Sequence, residues 1–200
     1  MANFHEHPII LASHNRGKLE EFRRLFASVD LPLVLDDYGE KEIIEETGDS
    51  YRANAQLKAQ AVASRTGRWA LADDSGVEVD ALGGLPGIHS ARFVSTNSWE
   101  NNREILLRLL EVPWALRTAR MRAVLCLASP DGLVFFSEGV VEGRILTWPR
   151  GQQGFGMDPI FSIDGETSFA QWPQEYKDRI SHRAMAVQGI IPVIQQVMAL

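Results

Sequence analysis

The chain has 200 residues, of which 45% are hydrophobic and 23% charged, with 26 acids against 20 bases and a formal net charge of −6. That balance excludes a disordered chain, and its acidic sign argues against a binder of nucleic-acid polymers. The single cysteine, Cys126, excludes an internal disulfide framework and a cysteine-built zinc cluster; inside Ala-Val-Leu-Cys-Leu-Ala (123–128) it reads as buried. The start MANFHEHPII lacks a signal-peptide pattern, and no apolar run is long enough to span a bilayer. The expectation is a cytoplasmic protein with no membrane partner.

Residues 9–13 (IILAS) read as a strand, after which Leu19, Phe22, Leu25, Phe26 and Val29 recur at helical spacing beyond Gly17. LPLVL at 31–35 reads as a second strand. Asp49 or Ser50 is placed to cap an alanine-rich helix running to about residue 65, and WALAD at 69–73 is a third strand. This alternation is that of an α/β sheet. Ser98 is expected to cap a helix carrying Ile105, Leu106, Leu109 and Leu110. Residues 119–128 and 133–141 form an expected hairpin about Pro130-Asp131-Gly132, and Gly143 marks a further turn before Arg144–Trp148. A last helix is expected from Ser181 toward Leu200, with a kink or early break at Pro192. The predicted architecture is one domain over residues 1–200 with a mixed sheet. A hairpin-built second lobe lies against an α/β first lobe, with a cleft between them.

Chemistry concentrates in five segments. Ser13-His14-Asn15-Arg16-Gly17-Lys18 lies where a strand passes into a helix, and helix-start N–H groups with the macrodipole favour phosphate. Lys18 adds a full charge, but P-loop spacing is absent, so an ordinary turn remains an alternative. Glu45 and Glu46 before Gly48, and Asp73-Asp74-Ser75-Gly76 after the third strand, offer hard oxygen ligands from two segments, a donor set suited to Mg²⁺; each also reads as a plain loop. Asn54 and Lys58, four apart, share a helix face, from which Lys58 reaches a phosphate or an acid unless it is simply solvated. In Gly151–Pro159 three glycines permit close backbone approach, Phe155 offers a face for base stacking and Asp158 an acceptor for a ring N–H; a core role for Phe155 is equally open. Lys177 and Ser181-His182-Arg183 bring basic groups to a helix start, which alone is usually just surface. Arginine donates and never accepts, so Arg183 suits a 6-oxo purine and not adenine. His5, His7 and His89 have no zinc spacing, and Trp114, Trp148 and Trp172 read as packing.

Taken in order, Ser-x-Asn-x-Gly-Lys, Glu-Glu-Thr-Gly, Asn-Ala-x-x-Lys-Ala, Ala-Asp-Asp-Ser-Gly, Leu-Pro-Gly-Ile-x-Ser-Ala-Arg, Gly-Phe-Gly-x-Asp-Pro-Ile-Phe and Lys-x-x-Ile-Ser-His-Arg closely resemble the inosine triphosphate pyrophosphatase family in its bacterial dITP/XTP form. The resemblance runs from residue 9 to about 190. It implies an elongated two-lobed α/β fold with a central substrate cleft, usually homodimeric. It also implies Mg²⁺-dependent hydrolysis of non-standard purine triphosphates (ITP, dITP, XTP) to the monophosphate and pyrophosphate. By match to its motifs, residues 13–18 hold the triphosphate with Lys58 in support. Asp74 binds the metal and serves as the catalytic carboxylate, and Glu45, with Glu46 as its rival, is the second ligand. Ser75 touches substrate, while Phe155, Gly156, Met157, Asp158, Lys177, His182 and Arg183 enclose base and sugar. The chain departs from the pattern at Ser13-His14 (commonly Thr-Gly), His89 (commonly Tyr), Met157 (usually aromatic) and Pro192. The competing expectations are a pyrophosphatase for other modified nucleotides and a non-catalytic nucleotide sensor.

Overall fold

The computed structural model describes residues 9–27, 29, 33–34 and 44–198. Most of the strand expected at 31–35, and His5 and His7, lie outside the described residues. The first strand is short, β1 at Ile9–Leu11, and its parallel neighbours are β2 (Leu33–Val34) and β3 (Ala70–Val79), with Ile9 opposite Leu33 and Leu11 opposite Leu71. The sheet order is β2-β1-β3-β4-β5-β6, in which β4 is Thr118–Ala128, β5 Val134–Ile145 and β6 Phe161–Ser162. β6 pairs antiparallel with β5, so the sheet is mixed, as expected.

Local chemistry sets the helix ends. In α1 (Arg16–Phe26) the Asn15 side chain accepts from Lys18 N at 3.1 Å, and Arg23 and Arg24 sit in the last turn, where cations suit the dipole. α2 (Tyr51–Thr66) is capped by Ser50 and stopped by Gly67, whose φ of 66° is open to glycine at no steric cost. Contrary to expectation, Asn97 and not Ser98 caps α3 (Ser98–Arg108), its amide oxygen accepting from Trp99 N at 2.9 Å. A short helix the sequence pattern did not reveal, α4 (Gln174–Ile180), precedes α5 (His182–Met198). Pro192 does not end α5, since Ile190 and Ile194 on either side are fully buried and packing outweighs the missing N–H. Among the described residues no helix is long and apolar enough to cross a membrane.

Two other expectations are corrected. β3 extends to Val79, so Asp73 and Asp74 stand inside a strand and not beyond its end; the ion pairs described below offset the cost of buried charge there. Gly143 lies within β5 and makes no turn. A Cβ there would strike the Ser162 carbonyl and the Phe161 ring, so glycine admits the close approach of β6.

The chain divides into two compact units, each with its own core. The first comprises the described residues up to Asp74, Ala123–Gly139 and those from Arg183 on; Ile9, Leu11, Phe22, Leu71, Leu125, Ile190 and Ile194 fill it. The second comprises Ser75–Arg122 and Val140–His182, built on Val77, Ile105, Leu109, Met121, Phe161 and Phe169. Trp172 packs in the second unit between Phe169 and Tyr176, whereas Trp148 is exposed against the Arg150 guanidinium.

Candidate active site

The first unit carries a chain of alternating buried charges. Lys18, two residues into α1, reaches across to β3 and places Nζ 2.6 Å from Asp73 Oδ2. The same oxygen lies 3.3 Å from Arg183 Nη2, and Arg183 Nη1 donates to Glu21 Oε2 at 2.7 Å. Glu21, Asp73 and Arg183 are each at most 2% exposed, so these charges are in contact with each other far more than with water. Burial alone would raise the Asp73 carboxyl, but Arg183 and Lys18 outweigh it and hold it far below the usual carboxylate range. Burial is the largest influence on Lys18 and lowers it, with Asp73 opposing.

Asp74, the next residue in β3, belongs to a second group. Lys58 Nζ stands 3.5 Å from Asp74 Oδ1, donates to the Asp73 carbonyl at 2.7 Å and pairs with Glu46 Oε1 at 2.6 Å. Asn54, one turn before Lys58 on α2, donates to Asp74 Oδ2 at 3.2 Å. Burial pushes the Asp74 carboxyl above its ordinary value; Lys58 and Lys18 pull it back, while Glu46 and Asp73 push it further. Lys58 is lowered by burial yet ends raised, because Asp74 and Glu46 outweigh it. Glu45 is exposed, in contrast to the paired Glu46. Neighbouring aspartates of one strand thus sit in opposite electrostatic surroundings.

At the start of α1, Ser13 Oγ accepts from Asn15 N and Asn15 Oδ1 is committed to capping. Helix geometry leaves the N–H groups of Arg16 and Gly17 without an intrahelical carbonyl. His14, Asn15 and Arg16 are exposed.

The second unit holds another cluster. Asp158 Oδ2 accepts from Phe155 N at 2.8 Å and from Lys177 Nζ at 2.6 Å, and Lys177 Nζ lies 5.2 Å from the centre of the half-buried Phe155 ring. Gly154 and Gly156 both adopt positive φ, and a Cβ on Gly154 would strike the Asp158 carboxylate. Asn102 of α3 donates to Gly156 O at 2.9 Å, fixing the loop from behind. Met157 is buried among the core residues and acts in packing. Ser75 is half-buried in β3, and His182 is buried at the start of α5.

Among the sequence-expected residues, the structure brings Lys18 and Arg183 together on Asp73, Lys58 with Asp74 and Glu46, and Phe155 with Asp158 and Lys177. Sequence reasoning passed over Glu21, Asp73 as an ionic hub, and Asn102. Their signal was periodicity: Glu21 follows Lys18 by one helical turn, and Asn102 stands on the stripe of Ile105 and Leu109. A polar residue on a buried face announces a buried partner.

The Ham1 family model matches residues 9–193. A dITP/XTP pyrophosphatase of Symbiobacterium thermophilum is 44% identical over 90% of this chain and 90% of its own length. A second, from Synechococcus sp. (strain CC9311), is 44% identical over 95% of this chain and 91% of its own. Among solved structures, the Staphylococcus aureus Ham1 protein superposes with a TM-score of 0.82 at 33% identity, covering 95% of this chain and 99% of that one. The dITP/XTP pyrophosphatase of Mycobacterium abscessus matches with a TM-score of 0.73 at 38% identity, over 92% and 99%.

Proposed function

The chain belongs to the Ham1 family, and on that premise we propose that it is a pyrophosphatase for ITP, dITP and XTP, converting each with water to its monophosphate and pyrophosphate. The observation that carries this reading is the seating of Lys18, Lys58, Asp73 and Asp74 in one buried cluster beside a helix start. Such a cluster brings fixed positive charge and a reactive carboxylate to an anionic chain of phosphates. The names of the relatives support the substrate class.

Mg²⁺ suits the donors present. Asp74 and the exposed Glu45 offer hard oxygens, whereas Glu46 is neutralised by Lys58. Such a cation takes one or two carboxylates and leaves its other positions to water and phosphate, so Asp74 and Glu45 are the residues that would hold it. When bound, the ion supplies Lewis-acid stabilisation of phosphoryl oxygens.

The chain's own groups then divide the work. Asp74 orients the attacking water as its oxygen bonds to the α-phosphorus, and the proton released passes to this carboxylate or to solvent. The bond from that phosphorus to the α–β bridging oxygen breaks, and pyrophosphate departs. Lys18, Lys58 and the N–H groups of Arg16 and Gly17 meet its charge, with Ser13, His14 and Asn15 beside them. Ser75, next to Asp74, contacts the substrate. In the second unit, Phe155 is the residue we assign to stacking on the base, with Gly156 and Met157 shaping its loop. Asp158, held by Lys177, accepts from the ring N–H, and His182 donates to the sugar; Arg183, expected from the sequence to read the 6-oxo group, has its terminal nitrogens on Glu21 and Asp73 and holds those buried carboxylates instead. The same reading carries with it a homodimer in the cytosol, where the nucleotide pool lies.

The test is a panel of ITP, dITP, XTP, ATP and modified pyrimidine triphosphates with Mg²⁺, resolving pyrophosphate from orthophosphate. Pyrophosphate is expected from the first three well ahead of ATP. Orthophosphate release, or tight binding without turnover, overturns the proposal.

A further inference from the structure

Asn54 is fully buried, and each end of its amide has a partner on a different segment. Its Oδ1 accepts from Gly48 N at 2.8 Å, while Nδ2 donates to Asp74 Oδ2 at 3.2 Å. The orientation is dictated by chemistry: an N–H faces one end and a carboxylate the other, and a flipped amide would set oxygen against oxygen. Ser50 caps α2 so that Asn54 and Lys58 emerge one turn apart on one face, and the two address the two oxygens of Asp74. Gly48 has no room for a side chain, since a Cβ would lie 2.7 Å from Asn54 Oδ1 and from Ala53 Cβ. The glycine of Glu-Glu-Thr-Gly and the asparagine of Asn-Ala-x-x-Lys are therefore one device.

We infer that Asn54 is a positioning residue that ties the segment bearing Glu45 and Glu46 to Asp74, setting both carboxylate sources in register for a divalent cation. The inference rests on the metal role given to Asp74 and Glu45 above. Asn54 touches no reacting atom; it fixes the orientation of the Asp74 carboxylate and the approach of the loop. Outer partners of this kind typically change metal affinity by about 10–100-fold when removed.

The test is a double-mutant cycle on Asn54→Leu and Gly48→Ala, read by Mn²⁺ titration of the nucleotide-free protein with electron paramagnetic resonance, and by turnover of Mg²⁺–ITP. Each single variant should bind Mn²⁺ about tenfold or more weaker than wild type. Gly48→Ala should add little on the Asn54→Leu background, because both break one tether. A residue that only stabilised the fold would lower the melting temperature and leave Mn²⁺ affinity unmoved. Should Asn54→Leu fail to fold, Gly48→Ala alone decides. Unchanged Mn²⁺ affinity in a folded variant, with wild-type ITP turnover intact, overturns the inference and leaves the proposed activity standing. Wild type that binds no Mn²⁺ and releases no pyrophosphate overturns both.

Discussion

Lys18 Nζ sits 2.6 Å from Asp73 Oδ2, an ion pair joining the first turn of α1 to the middle of β3. Arg183 shares that oxygen from α5, so three elements distant in sequence converge on one carboxylate. Replacing Asp73 with Asn leaves two largely buried cations without their shared counter-charge. Breaking a buried pair in this way costs about 3–5 kcal/mol, and urea unfolding near neutral pH should show a loss of that order.

The same residue predicts an acid limb. The folded carboxyl of Asp73 is held below the ordinary range, so its stabilisation is complete above the unfolded value and is lost as pH falls toward the folded one. Wild type should lose stability progressively below about pH 4, and Asp73→Asn should flatten that part of the profile. Parallel acid limbs in the two proteins would assign the acid sensitivity elsewhere.

Gly154→Ala tests the second cluster. The new methyl group collides with the Asp158 carboxylate and must also adopt a φ of 73°. Asp158 then moves off both Phe155 N and Lys177. Displacements on the scale of 1 Å cost about 10²-fold, so kcat/KM for ITP should fall by roughly that factor. An unchanged kcat/KM would show that the Asp158–Lys177 pair does not serve the substrate.

Cys126 supplies a reporter free of the site. Burial pushes its thiol up to about 12, with Arg52 opposing. An aromatic disulfide reagent at about pH 8 should label it ~10³-fold or more slower than the unfolded chain, since reaction must wait for opening. Because the folded value is raised, the unfolded thiol ionises first, and stability should decline from the usual thiol range toward about pH 12.

The strand and helix grammar was legible because burial obeys period: Phe22 and Phe26 mark α1, and Ala55, Ala59, Val62 and Ala63 mark α2. Boundaries were less so. β3 hid behind Asp73 and Asp74, whose charge looks like the end of a strand until Lys18, Arg183, Lys58 and Asn54 are seen around it. Gly143 looked like a turn because glycine signals both turns and close approach. The candidate site residues were readable as motifs, but their partners were not. That Asp73 and Asp74 differ in surroundings depends on which lysine each meets, a matter of tertiary geometry. Arg183 shows the same limit: nothing in Ser-His-Arg predicts Glu21 as its partner 162 residues away.

On the proposed function, Asp74 does the chemistry while its neighbour Asp73 holds charge. Pyrophosphate release from Mg²⁺–ITP by Asp74→Asn, with a thermal melt alongside, tests it most directly. Turnover should fall by about 10²–10⁴-fold while the melting temperature moves by no more than ~4 °C. A folded Asp74→Asn protein releasing pyrophosphate at the wild-type rate would take the catalytic role away from Asp74.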